Sequence, residues 1–124
     1  MNIIISNSSS EPIYEQIKKA IKQAIYTKEL KEEEILPSVR VLANDLKISF
    51  LTVKKAYDEL EAEGFIKTVQ GKGSYVLPKN LELLREEKLK ELEKNISTVV
   101  KLSKIYGITE EEVINLIKIM FEED

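Results

Sequence analysis

Between positions 49 and 55 the chain reads Ser-Phe-Leu-Thr-Val-Lys-Lys, which sets the hydroxyls of Ser49 and Thr52 beside the ammonium groups of Lys54 and Lys55. At the start of a helix such groups can reach phosphate oxygens and base edges. Arg40 is the only arginine among residues 1–79 and stands two positions after Ser38; its planar fork suits a phosphate or a guanine edge better than an ammonium does. Further on, Gln70-Gly71-Lys72-Gly73 carries a cation between two glycines, an unhindered amine fitted to a backbone or minor-groove contact. Taken singly, each residue has an ordinary explanation as a solvated helix face, a surface ion-pair member or a solubilising turn residue. Their order along the chain, and the elements that carry them, make them a set.

Other chemistries are poorly served. With no histidine and no cysteine, the chain offers no zinc site, thiol nucleophile, Ser/His/Asp triad, haem attachment or disulfide, so no cofactor is expected. The carboxylates of Glu110-Glu111-Glu112 are better explained as first-turn acids complementing a helix dipole than as catalytic groups, and no enzyme is read here. No purely apolar run is longer than three residues, as in Ile3-Ile4-Ile5, far short of the roughly 20 residues that span a bilayer, so the expectation is a cytoplasmic protein without a membrane partner.

The chain has 124 residues, 43% of them apolar and 33% charged, with few glycines and prolines. That is enough for one compact core and an appendage, mainly helical and well solvated. The formal charge of −3 hides an asymmetry: residues 1–79 hold 12 basic against 11 acidic side chains, residues 80–124 hold 7 against 11. Fields between exposed charges fade over about 8 to 10 Å at physiological salt, so a local basic face can work on an acidic protein.

The positioning elements follow from periodicity. Residues 1–10 read as a flexible lead, polar and unpatterned from Ser6 to Ser10. Pro12 opens a first helix with Ile13, Ile17, Ala20, Ile21, Ala24 and Ile25 at helical spacing, running to about Tyr26. Lys28 to Glu34 is a charged connector. Pro37 and Ser38 then mark a new start, and Val39, Leu42, Ala43 and Leu46 make a short second helix. A break at Lys47-Ile48-Ser49 leads to a third, with Val53, Ala56, Tyr57 and Leu60 inward and Gly64 as its stop. Two helices joined by about three residues form a helix-turn-helix. Beyond Gly64 the period changes: Phe65 to Val69 and Ser74 to Leu77 flank Gln70-Gly71-Lys72-Gly73 as a β-hairpin, closed by Pro78. Residues 11–78 thus read as a winged helix-turn-helix.

Residues 79–124 are helical twice. Leu89, Leu92, Ile96, Val99, Val100 and Tyr106 follow three-and-four spacing to Gly107. Thr109 and Glu112 form a capping box, after which Val113, Ile114, Ile117, Met120 and Phe121 line a last helix. Two helices of this size do not bury both stripes on each other, so a partner is required, most simply a second copy in a two-fold dimer. The dimerisation set is Leu89, Leu92, Ile96, Val99, Val100, Tyr106, Val113, Ile117, Met120 and Phe121. A small-molecule effector of unknown identity has little concave volume here outside a dimer seam near Tyr106, Met120 and Phe121.

At residue level, Leu36-Pro37-Ser38-Val39-Arg40, then Leu42-Ala43, Thr52-Val53, Ala56-Tyr57, Leu60-Glu61, Glu63-Gly64 and Gly71-Lys72-Gly73-Ser74-Tyr75-Val76 resemble, in this order, the GntR family of bacterial transcription regulators. Pro12-Ile13-Tyr14-Glu15-Gln16-Ile17 and the brief two-helix tail are similar to its YtrA-like branch, although the tail matches only in length and helicity. The resemblance covers about residues 11–78. It implies a winged-helix repressor that binds a short inverted repeat in double-stranded DNA as a homodimer, often near genes for membrane transporters. It also implies base and phosphate contacts from Arg40, Ser49, Thr52 and Lys54, and a wing at Gln70, Gly71 and Lys72. Ser38, Lys55 and Gly73 complete the expected DNA-binding set. Two departures stand out. Phe50 occupies a place where relatives commonly present Arg or Asn, and Lys28 and Glu33 replace usual glycines, which implies a stiffer or differently bent connector. Glu32-Glu33-Glu34 should repel phosphate and face away from a duplex. The rival reading is a winged helix that binds another protein, its basic residues merely solubilising.

Overall fold

The computed structural model describes residues 2–77 and 81–123, so the turn expected to close at Pro78 lies outside the described residues. The elements run α1 (Ile13–Tyr26), α2 (Val39–Leu46), α3 (Phe50–Ala62), β1 (Ile66–Val69), β2 (Gly73–Val76), α4 (Leu81–Tyr106) and α5 (Glu110–Glu122). They fall into two compact units that divide between Leu81 and Glu82.

In the first unit, α3 packs against α1, α2 and β1. Ile17 and Ile21 of α1, Val53, Ala56 and Leu60 of α3, and Ile66 and Val76 of the hairpin are all shielded from solvent, each burial being worth about 1.5–3 kcal/mol for the larger side chains. The helix starts are fixed by side chains. Ser38 Oγ accepts the N–H of Val41 at 3.1 Å, and Ser49 Oγ accepts those of Leu51 and Thr52 at 3.1 and 3.4 Å; caps of this kind are worth about 1 kcal/mol. Between α2 and α3 the chain turns at Lys47, whose φ of 56° places a non-glycine residue in the left-handed region.

The lead is tied to α1 in both directions: Ser6 donates its N–H to Gln16 Oε1 at 2.8 Å, and Gln16 Nε2 donates to the Ser6 carbonyl at 3.0 Å. The charged connector is more than a connector. Leu30 and Leu36 are buried, and residues 33–36 lie along the outer edge of β2. There Glu33 N–H donates to the Val76 carbonyl at 2.9 Å, Val76 N–H to the Glu34 carbonyl at 3.0 Å, and Leu36 N–H to the Ser74 carbonyl at 2.8 Å. Ile35 pairs with Tyr75. The hairpin therefore gains a third, strand-like edge. Lys28 and Glu33 adopt φ of 69° and 62°, the region glycine favours, so each carries strain of about 1 kcal/mol or more.

α1 and α3 are also joined by charge. Lys18, only 7% exposed, places Nζ 2.8 Å from Glu59 and 2.6 Å from Glu63, and Lys22 reaches Glu63 at 2.7 Å. Burial alone would lower the Lys18 pKa, but the two carboxylates hold it well above its ordinary value. Burial would raise that of Glu63, yet Lys18 and Lys22 hold it below the ordinary 4.5. The lysine contributes stability at every pH below its ordinary pKa. The carboxylate contributes fully above its unfolded value and loses this as pH falls through the lowered one. Thermal midpoints should therefore hold from neutral pH to about 5 and fall below about 4, and Glu63→Gln should shrink that acid-side drop. An identical drop in the variant contradicts the assignment.

In the second unit, α5 starts with the expected capping box: Thr109 Oγ1 accepts Glu112 N–H at 3.2 Å, and Glu112 Oε2 accepts Thr109 N–H at 2.8 Å. Nearly all apolar side chains of α4 and α5 remain exposed, Phe121 by 86%. Leu84 and Ser103 are the buried residues of α4, and α5 has none. The two helices leave their stripes uncovered.

Candidate nucleic-acid interface

Ser38 and Ser49 cap the starts of α2 and α3, and Arg40 in the first turn of α2 lies beside Phe50 at the start of α3. Tyr57, buried on α3, donates its hydroxyl to the Pro37 carbonyl at 2.6 Å, which fixes the entry to α2 against the third helix. Burial raises the Tyr57 pKa well above its ordinary value, so the phenol stays a donor. The Arg40 guanidinium lies over the Phe50 ring, 5.2 Å from its centroid. That contact is worth about 0.5–1 kcal/mol at an exposed site. It holds the guanidinium beside the ring while Arg40 remains exposed.

Both serines spend an oxygen lone pair on a helix cap, and each keeps its O–H to donate to a phosphate. Thr52 is half-buried in the first turn of α3. The two lysines diverge. Lys54 pairs with Asp58 at 2.7 Å along the exposed helix face, whereas Lys55 sits over the Tyr14 ring of α1 at 4.0 Å. An exposed pair of the first kind is worth well under about 1 kcal/mol, so a phosphate can compete with Asp58 for Lys54. No signal in helical periodicity separates the two lysines; the partner helix does.

β1 and β2 are antiparallel, with Ile66 opposite Val76, Lys67 opposite Tyr75, Thr68 opposite Ser74 and Val69 opposite Gly73. Gly73 thus belongs to β2, and the loop is Gln70-Gly71-Lys72, one residue shorter than the sequence suggests. Gly71 and Gly73 adopt φ of 83° and 91°, backbone angles open to glycine with little strain, while Lys72 N–H closes the turn on the Val69 carbonyl at 2.9 Å. Gln70, Gly71, Lys72 and Gly73 are all exposed. The hairpin is held to α3 by a contact between elements: Glu61 Oε2 accepts the Thr68 N–H at 2.7 Å. Glutamate near a helix end carries no sequence signal for this, because its acceptor role exists only once β1 lies alongside. A hydroxyl pair, Thr68 Oγ1 and Ser74 Oγ at 2.7 Å, fastens the strands.

Glu112 is committed to its cap, in keeping with a structural role for the Glu110–Glu112 cluster. Among the described residues, no helix is long and apolar enough to cross a membrane.

Comparison with known proteins places this geometry. A family profile described as "Bacterial regulatory proteins, gntR family" matches residues 13–76. The chain is 35% identical over 116 residues to the HTH-type transcriptional repressor YtrA of Bacillus subtilis, covering 94% of this chain and 89% of that protein. In three dimensions it is similar to a transcriptional regulator from Oenococcus oeni, with a TM-score of 0.73 at 30% identity over 94% of this chain and 97% of the other. It is also similar to the DNA-binding domain of AraR in complex with its operator, with a TM-score of 0.55 at 25% identity over 61% of this chain and 95% of that one.

Proposed function

Because the chain belongs to the GntR family of bacterial regulatory proteins, in its YtrA-like branch, we propose that it is a homodimeric transcriptional repressor that holds an inverted-repeat operator near transporter genes. It carries the family's DNA-binding domain, and its relatives are regulators rather than enzymes. The observation that carries the reading is the capped start of α3 beside a stacked arginine, with an exposed Gly-Lys-Gly hairpin held to the same helix. In this reading α3 enters the major groove. Arg40, Ser49, Thr52 and Lys54 meet base edges and phosphates, Ser38 and Lys55 meet phosphates, and Gln70, Gly71, Lys72 and Gly73 follow the adjacent backbone or minor groove. Glu32, Glu33 and Glu34 face away from the duplex.

Support for the dimer comes from α4, where Leu89, Leu92, Ile96, Val99 and Tyr106 are exposed at coiled-coil spacing. Val100, Val113, Ile117, Met120 and Phe121 extend the apolar surface. The protein works in the cytoplasm, and a small-molecule effector would bind at the seam near Tyr106, Met120 and Phe121, changing the separation of the two α3 helices.

Selection of bound fragments from the source genome gives the operator. On it, Arg40→Ala should cost about 1–3 kcal/mol and relax base preference, whereas Lys72→Ala should weaken all duplexes more evenly. Fluorescence anisotropy on the selected and on scrambled duplexes separates the two patterns; equal, negligible losses refute the site assignment.

A further inference from the structure

Phe50 and Leu51, the first two residues of α3, are large, apolar and exposed, Leu51 by 72%. They add nothing to the core, which takes Val53, Ala56, Tyr57 and Leu60 from the same helix. The DNA-binding reading turns this end of α3 toward base edges. In the major groove, adenine, guanine and cytosine present hydrogen-bonding groups, and the one apolar feature is the C5-methyl of thymine. Beside it stands Arg40, its guanidinium 5.2 Å from the centre of the Phe50 ring, with N–H donors that match guanine O6 and N7.

We propose that Phe50 and Leu51 are specificity-determining residues that pack on a thymine methyl in each operator half-site, while Arg40 reads the guanine of a neighbouring base pair. This rests on the DNA-binding function above and adds the identity of the bases read. The pairing has a chemical logic. An arginine held against an aromatic ring is directed toward a base edge, and the same ring, with the leucine beside it, covers the methyl group next door and excludes water from both contacts.

The test uses the full chain and the tightest duplex recovered from a random-sequence pool. Each thymine is replaced in turn by deoxyuridine, which removes the methyl and keeps every hydrogen-bonding atom. The expected result is a thymine adjacent to guanine, in each half-site, whose replacement weakens binding about fourfold, the equivalent of one buried methyl group. In Leu51→Ala and Phe50→Ala chains that sensitivity should shrink or vanish. Tight binding with indifference to every replacement overturns the proposal and leaves DNA binding standing. A Phe50→Ala chain that loses guanine preference but keeps the full deoxyuridine penalty makes Phe50 a positioning residue for Arg40 and overturns its role at the methyl. Failure to bind any duplex at low salt overturns both readings. The replacement series on the unaltered chain decides the matter whatever the variants' stability.

Discussion

Cutting the chain after Leu77 is expected to yield a monomer that keeps only weak, mostly non-specific affinity for DNA, with a loss on the selected operator of roughly 10²–10⁴. The first unit carries its own core, from Ile17 and Ile21 through Leu60 to Val76, so the fragment should fold. What it loses is the apolar surface of α4 and α5, where Leu92, Ile96, Met120 and Phe121 are more than half exposed. Joining two readers makes the second half-site encounter intramolecular, and the gain disappears with the join. Sedimentation gives the oligomeric state and anisotropy the affinity. An unchanged oligomer after truncation contradicts the placement of the dimer seam.

The second large effect is salt. With on the order of six phosphates neutralised per dimer, affinity should fall with a log–log slope near −5, or about a thousandfold between 50 and 200 mM salt. Lys54, Lys55 and Lys72, twice each, supply that number of cations, Lys54 by exchanging its exposed Asp58 partner for a phosphate, which leaves Arg40 for the base edge. Lys72→Ala should reduce the slope by about two, one phosphate from each protomer. A winged helix serving only as a protein-binding module predicts a nearly flat response and no duplex binding at low salt, so one titration separates the classes.

The elements themselves were legible because their signals are local. Ser38, Ser49 and Thr109 announce helix starts by the oxygen each offers to N–H groups two or three residues on, and the apolar spacing of α1 and α3 follows from the helical repeat. Three features escaped. The strand-like edge at residues 33–36 has backbone bonds to β2, but it begins inside the acidic run Glu32-Glu33-Glu34 and holds only two apolar residues, too few to show strand alternation. Lys18 sat on a helix that could have exposed it, and only the approach of Glu59 and Glu63 from α3 makes its burial tolerable. The hairpin loop is one residue shorter than its glycines suggest, because glycine at 73 suits a turn as well as a strand end.

By itself the amino-acid sequence determined the order of helices and strands, their caps, the hydroxyls and amines at the start of α3, and the apolar stripes of the tail, since each depends on residues within a turn or two of one another. Tertiary structure alone decided which side chains direct the cations, Arg40 on Phe50 and Lys55 on Tyr14, and what holds the hairpin to the third helix, Glu61 on the Thr68 amide. Such contacts join different elements, and neither partner's local pattern encodes the other's position until packing has brought their surfaces together.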